Sequence, residues 1–102
     1  NIINRGGEKI SPEHVEDALL AHPDITQAAV FGRSDTKYGE QVAAVVILRS
    51  GAAADADLLR SFCASRLANY EVPEHISFVD ELPTTAKGSV DRNRLASEFD
   101  GA

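Results

Sequence analysis

Apolar residues recur along the chain with two different periods, and each change of period marks a new element. Ile2-Ile3 and Ile10 flank a polar stretch with Gly6-Gly7 at its bend, which predicts a strand, a turn and a strand over Asn1 to Ile10. Val15, Ala18, Leu19 and His22 then fall on one helical face. Ser11 suits the N-cap, Pro12 the first helical position and Glu13 the positive end of the dipole. Ile10 and Val15 are spaced as a hydrophobic staple across that cap. With Pro23 as the stop, the pattern predicts a helix over Pro12 to Ala21.

Ile25 to Gly32 reads as a strand, Gly32 to Tyr38 as a polar turn, and Glu40 to Arg49 as the strongest strand in the chain. Residues 42 to 48 are apolar on both alternating sets, the signature of a central strand covered on both faces. After a flexible link, Asp55 or Asp57 caps a second helix whose inward stripe is Leu59, Phe62, Cys63 and Leu67. Asn69 to Pro73 breaks it, and His75 to Val79 reads as a third core strand. Leu82 to Arg92 is rich in small and hydroxylated residues around Gly88 and reads as a loop. Asp91 then caps a short last helix through Arg92, Arg94, Leu95 and Phe99. The fold class that follows is α+β. It is a small sandwich with a central three-stranded, mostly antiparallel sheet, helices packed on one side of it, and an N-terminal two-stranded hairpin.

Composition narrows the function classes. A chain of 102 residues is one domain by length. Its formal charge of -6 disfavours a general nucleic-acid or anionic-membrane surface. Cys63 is the lone cysteine, so no internal disulfide forms and a reducing, cytoplasmic setting fits. No apolar run approaches membrane-span length. His14, His22, His75 and Cys63 have no metal-ligand spacing, so no metal site is expected. Glu13-His14 and Glu16-Asp17 read as a solvated helix face, and Cys63 as a small core residue. Asn1-Ile2-Ile3 opens the chain in mid-pattern, which suggests a piece of a longer polypeptide.

Four stretches in series carry a family resemblance. Arg5-Gly6-Gly7-Glu8-Lys9-Ile10-Ser11-Pro12 with Val15-Glu16 resembles the motif that opens the C-terminal lid domain of adenylate-forming enzymes. Asp35 through Gly39-Glu40 is similar to its central segment. Leu67-Ala68-Asn69-Tyr70-Glu71-Val72-Pro73 and Leu82 to Arg92 resemble its last two motifs. The resemblance covers residues 1–102, and Gly-Gly-Glu-Lys-Ile-Ser-Pro is most like acyl-CoA synthetases. Alternatives from other classes are the lid of a peptide-synthetase adenylation domain and a freestanding α+β module for ligand binding or oligomerisation.

The resemblance implies a ligase that joins a carboxylic acid to coenzyme A through an acyl-adenylate. It implies ATP, Mg2+ and CoA in the full-length enzyme, none of them held by this domain alone. The partner is an N-terminal domain of the same enzyme, over which the lid closes in two poses, one per half-reaction. In the family a lysine directly follows the glycine of the last motif and steadies the reacting charges. Here that place holds Ser89, and the lysine stands on the other side of Gly88 as Lys87. A serine hydroxyl carries no charge, so it cannot replace an ammonium. Three explanations stay open: Lys87 swings in through a shifted Gly88 hinge, the lysine has been substituted, or the protein adenylates poorly. Arg5, Gly6, Gly7, Glu8 and Lys9 are implied to face CoA in the thioester-forming pose. Without the resemblance, Lys87 is a solvated loop lysine and Gly6-Gly7 a hairpin turn.

Overall fold

The computed structural model describes residues 2–99, so Asn1 of the predicted first strand lies outside the described residues. Strand β1 (Ile3–Arg5) turns into β2 (Glu8–Ile10), and helix α1 (Pro12–Leu20) follows. The long pair β3 (Ile25–Asp35) and β4 (Gly39–Leu48) leads to helix α2 (Ala56–Ala64). A single 3-10 turn at Asn69–Glu71, strand β5 (His75–Phe78) and helix α3 (Arg92–Phe99) complete the chain. The side chain of Phe99 lies outside the described set.

The architecture is an α+β sandwich. β4 lies antiparallel to β3 along one side and parallel to β5 along the other. The N-terminal hairpin joins the same side of β4 through one antiparallel bridge, Arg5 to Gly39. The three-stranded centre and the hairpin are therefore one five-stranded sheet.

The helix caps form as their residue types dictate. Ser11 Oγ accepts from the His14 N–H at 3.3 Å, and the Asp55 carboxylate accepts from Leu58 N–H at 2.8 Å. Alternation along β3 and β4 sends two sets of side chains to opposite faces. Val30, Val42, Ala44 and Val46 meet Val15 and Leu19 of α1 and Leu59 and Cys63 of α2 in the larger core. Ala29, Phe31, Ala43 and Val45 meet Leu95 of α3 in a smaller one.

Four expectations are corrected. The helices do not share one side: α1 and α2 cover one face, and α3 covers the other. The two-sided apolar pattern of residues 42–48 requires that second cover. The turn is not Gly32 to Tyr38, because β3 continues to Asp35 by pairing with Gly39–Val42. Only Thr36, Lys37 and Tyr38 turn, held where the Asp35 carboxylate accepts from the N–H groups of Lys37 (3.1 Å) and Tyr38 (2.7 Å). β5 is not a buried core strand but a half-exposed flanking one: Ile76 packs against the larger core and Phe78 is 45% exposed. Finally, the Leu82 to Arg92 stretch contains a small hairpin of its own.

Candidate functional site

That hairpin presents Lys87. Thr84 and Val90 bridge in antiparallel fashion, and the Asp91 N–H donates to the Pro83 carbonyl at 2.9 Å to close the base. At the tip, Thr85 N–H donates to the Ser89 carbonyl at 2.7 Å and Gly88 N–H to the Thr85 carbonyl at 2.9 Å. These two bonds leave Ala86-Lys87-Gly88 as a three-residue loop, which needs a left-handed residue in its last place. Gly88 supplies it at φ 84°. The side chains of Lys87 and Ser89 both stand in solvent, on either side of that glycine. Lys87 is the one Lys or Arg between Pro73 and Asp91.

The second predicted loop is a two-residue turn between paired Arg5 and Glu8. Gly6 and Gly7 have φ of 58° and 89°, the double positive φ that tight hairpins demand. The turn rests on the β3–β4 connection, where Gly6 N–H donates to the Tyr38 carbonyl at 2.8 Å. Arg5 is held in place: its Nε donates to Glu74 Oε1 at 2.8 Å, and its guanidinium lies 4.2 Å from the centre of the Tyr38 ring. The hydrogen bond to Glu74 raises the Arg5 pKa above its ordinary value. Glu8 and Lys9 are exposed. Lys37 lies 5.1 Å from the Tyr38 ring beside this turn.

A third cluster was not legible in the sequence. β3 is the outer strand, so the peptide groups of Val30 face away from β4. Glu16 of α1 accepts the Val30 N–H at 2.7 Å, and Arg92 of α3 donates through Nε to the Val30 carbonyl at 3.1 Å. The two side chains then meet, with Arg92 Nη2 at 2.8 and 2.9 Å from the Glu16 oxygens. Glu16 was expected on a solvated face, yet its side chain is only 12% exposed and that of Arg92 only 17%. The residues are 76 positions apart, and no local pattern pairs them. Arg92 also lines a cleft of about 240 Å³ with Ile2, Phe31, Glu40 and Ala96.

The remaining candidates are structural. His22 meets the Phe62 ring edge-on at 4.8 Å. Burial pushes the Cys63 thiol pKa up, so it is a core side chain and no nucleophile. Among the described residues no three His, Cys, Asp or Glu side chains converge as a metal site would require. Asp91 caps α3 by accepting from Arg94 N–H at 3.0 Å.

Comparison with known proteins gives a consistent result. Residues 14–89 match the family model described as the AMP-binding enzyme C-terminal domain. A probable CoA ligase, CCL9, of Humulus lupulus is 47% identical over 98 residues, which is 96% of this chain and 19% of that protein. A vibriobactin-specific 2,3-dihydroxybenzoate-AMP ligase of Vibrio cholerae is 42% identical over 99 residues, 96% of this chain and 18% of that protein. The crystal structure of apo MatB from Rhodopseudomonas palustris superposes with a TM-score of 0.94 at 30% identity, covering 98% of this chain and 20% of that one. The chain thus spans about a fifth of the length of the curated relatives it matches.

Proposed function

The chain belongs to the AMP-binding enzyme C-terminal domain family, and on that premise we propose that residues 1–102 are the closing lid of an acyl-CoA synthetase. The 47% identity with a plant CoA ligase over 96% of this chain carries this reading. The substrates are a carboxylic acid, ATP and CoA, and the partner is the N-terminal domain of the same polypeptide. In the first half-reaction the carboxylate attacks the α-phosphate of ATP, and pyrophosphate leaves. In the second, the CoA thiol attacks the acyl carbon and AMP leaves. Mg2+, when bound with the nucleotide, offsets phosphate charge. A lone buried thiol agrees with a cytoplasmic setting.

The lid contributes a positioned cation and two shaped turns. Lys87 is exposed at the tip of a hairpin whose backbone is closed by its own hydrogen bonds. An ammonium there is free to reach into an anionic site as the lid shuts, while negative charge builds on the phosphate. Lys87 is accordingly the catalytic cation. Gly88 supplies the left-handed residue that shapes the tip beside it, and Ser89 is a neutral neighbour whose carbonyl closes the turn. The Gly6-Gly7 turn has no Cβ atoms and leaves room for a slender pantetheine arm, with Lys9 at its rim. Arg5 braces that turn through Glu74 and Tyr38.

The Vibrio relative, a 2,3-dihydroxybenzoate-AMP ligase by name, supports a second reading, the lid of an acid–AMP ligase; in that reading a carrier-protein thiol, and not CoA, would take the acyl group. The full-length enzyme with ATP and a panel of carboxylic acids, offered either CoA or a carrier protein, tests both. Release of pyrophosphate together with acyl-CoA is expected. Acyl transfer to the carrier alone would favour the second reading, and no pyrophosphate with any acid would overturn the first.

A further inference from the structure

We infer that the Glu16–Arg92 pair, clamped across the free edge of β3 at Val30, is a positioning device that aims the Lys87 hairpin. The inference rests on Lys87 being the cation of the adenylation step. The bonds that define the hairpin are internal to it: Thr85 to Ser89, Gly88 to Thr85, and Asp91 to Pro83. They fix its shape but not its direction relative to the sheet. Direction is set where the hairpin joins the body. On the apolar side, the partly buried Leu82 and Val90 pack against the small core under α3. Burial of that kind is non-directional and does not by itself specify where the tip points.

The polar side supplies the missing constraint. Arg92 lies two residues past Val90, at the start of α3, and Asp91 between them is tied back to Pro83. The Arg92 guanidinium makes three bonds, from Nε to the Val30 carbonyl at 3.1 Å and from Nη2 to both Glu16 oxygens at 2.8 and 2.9 Å. Two nitrogens of one rigid guanidinium, held by two separate groups, define an orientation, which a single ammonium contact does not. Glu16 is in turn fixed by the Val30 N–H at 2.7 Å and by its place on α1. The clamp thus refers the base of the hairpin to α1 and β3, the most deeply packed part of the domain.

The consequence is selective. Adenylation depends on where the Lys87 ammonium arrives, and a displacement near 1 Å at the reacting atoms costs up to about a hundredfold. Thioester formation uses the other loop and should not register the change. Arg92→Lys keeps the charge but loses the fork. Glu16→Gln keeps an acceptor for Val30 N–H but loses the charge-assisted grip.

The experiment uses the full-length enzyme. Pyrophosphate release and thioester formation from supplied acyl-adenylate are measured for Arg92→Lys and Glu16→Gln, each with Lys87 intact and with Lys87→Ala. With Lys87 intact, each clamp variant should lower kcat for pyrophosphate release about ten- to a hundredfold with little change in thioester formation. With Lys87→Ala, the same variants should add little further loss, since a misaimed cation that is absent costs nothing. Losses that multiply with Lys87→Ala, equal loss in both half-reactions, or no loss at all would overturn the clamp's role while leaving Lys87 in place. A Lys87→Ala enzyme with unchanged pyrophosphate release would instead remove the cation itself, and the clamp inference with it.

Discussion

Replacing Leu95 with alanine should separate the second layer of the sandwich from the first. Leu95 is 1% exposed and is the α3 residue buried among Ala29, Phe31, Ala43 and Val45. Three carbon positions disappear, worth about 0.8 kcal/mol each in transfer alone, or roughly 2.4 kcal/mol. The small core is lined largely by alanine and valine on rigid strands, so it cannot collapse into the gap. A residual cavity brings the total toward about 3 kcal/mol, within the usual 2–5 kcal/mol of a buried leucine truncation. α3 has eight residues and is too short to persist without packing. For a domain of this size, about 3 kcal/mol corresponds to a Tm lower by roughly 12–24 °C. The assay is thermal and urea unfolding of the 102-residue chain followed by far-UV circular dichroism. Leu58→Ala is the control, since Leu58 is 49% exposed; it should lie within about 0.5 kcal/mol of the parent. If Leu95→Ala falls no further than Leu58→Ala, the second layer contributes no core, and the reasoning about how the hairpin is mounted fails.

Further outcomes follow from single positions. Gly88→Ala should cost about 1–2 kcal/mol of local strain, because φ is 84° and a Cβ there meets nothing within 4 Å. Pyrophosphate release should fall, with Gly88→Asn recovering most of it because asparagine tolerates that backbone. Equal rates for Gly88→Ala and the parent would show that the turn does not matter. Gly7→Leu should lower thioester formation more than adenylation, and Gly7→Asn, which bears the same φ of 89° more easily, should fall in between. Parallel loss of both half-reactions would remove the pantetheine path. Cys63 should resist a thiol reagent at pH 8 until urea unfolds the chain. Its folded pKa is raised above the ordinary 9.0, so its contribution to stability is complete below that pH and fades as pH rises through the folded value. The alkaline loss should be smaller in Cys63→Ala, and identical pH profiles would contradict this.

What could be read in the chain was what local chemistry decides. Ser11-Pro12-Glu13 and Pro23 bracket α1 without help from distant residues. The double positive φ at Gly6-Gly7 is equally local. Pairing decided the rest. Gly32 to Asp35 has the composition of a turn, yet lies in β3 because Gly39 to Val42 supplies a ladder for it. The position of α3 was legible only indirectly, through the two-sided apolar run of β4, since Leu95 is a short signal in a polar helix. The bonds that anchor Arg5 to Glu74, and Arg92 to Glu16, cross 69 and 76 positions and leave no trace in spacing. The loop carrying Lys87 was read from its residues, but its hairpin form depends on Thr84 meeting Val90.

The central claim is that this domain delivers a cation to one half-reaction of a CoA ligase and not to the other. It is tested most directly by Lys87→Ala in the full-length enzyme, with each half-reaction followed separately. The account predicts that pyrophosphate release falls by about a hundredfold or more, as when a preorganised charge is removed from a developing anion, while thioester formation from supplied acyl-adenylate continues near the parent rate. Unchanged pyrophosphate release, or equal loss of both steps, would contradict it.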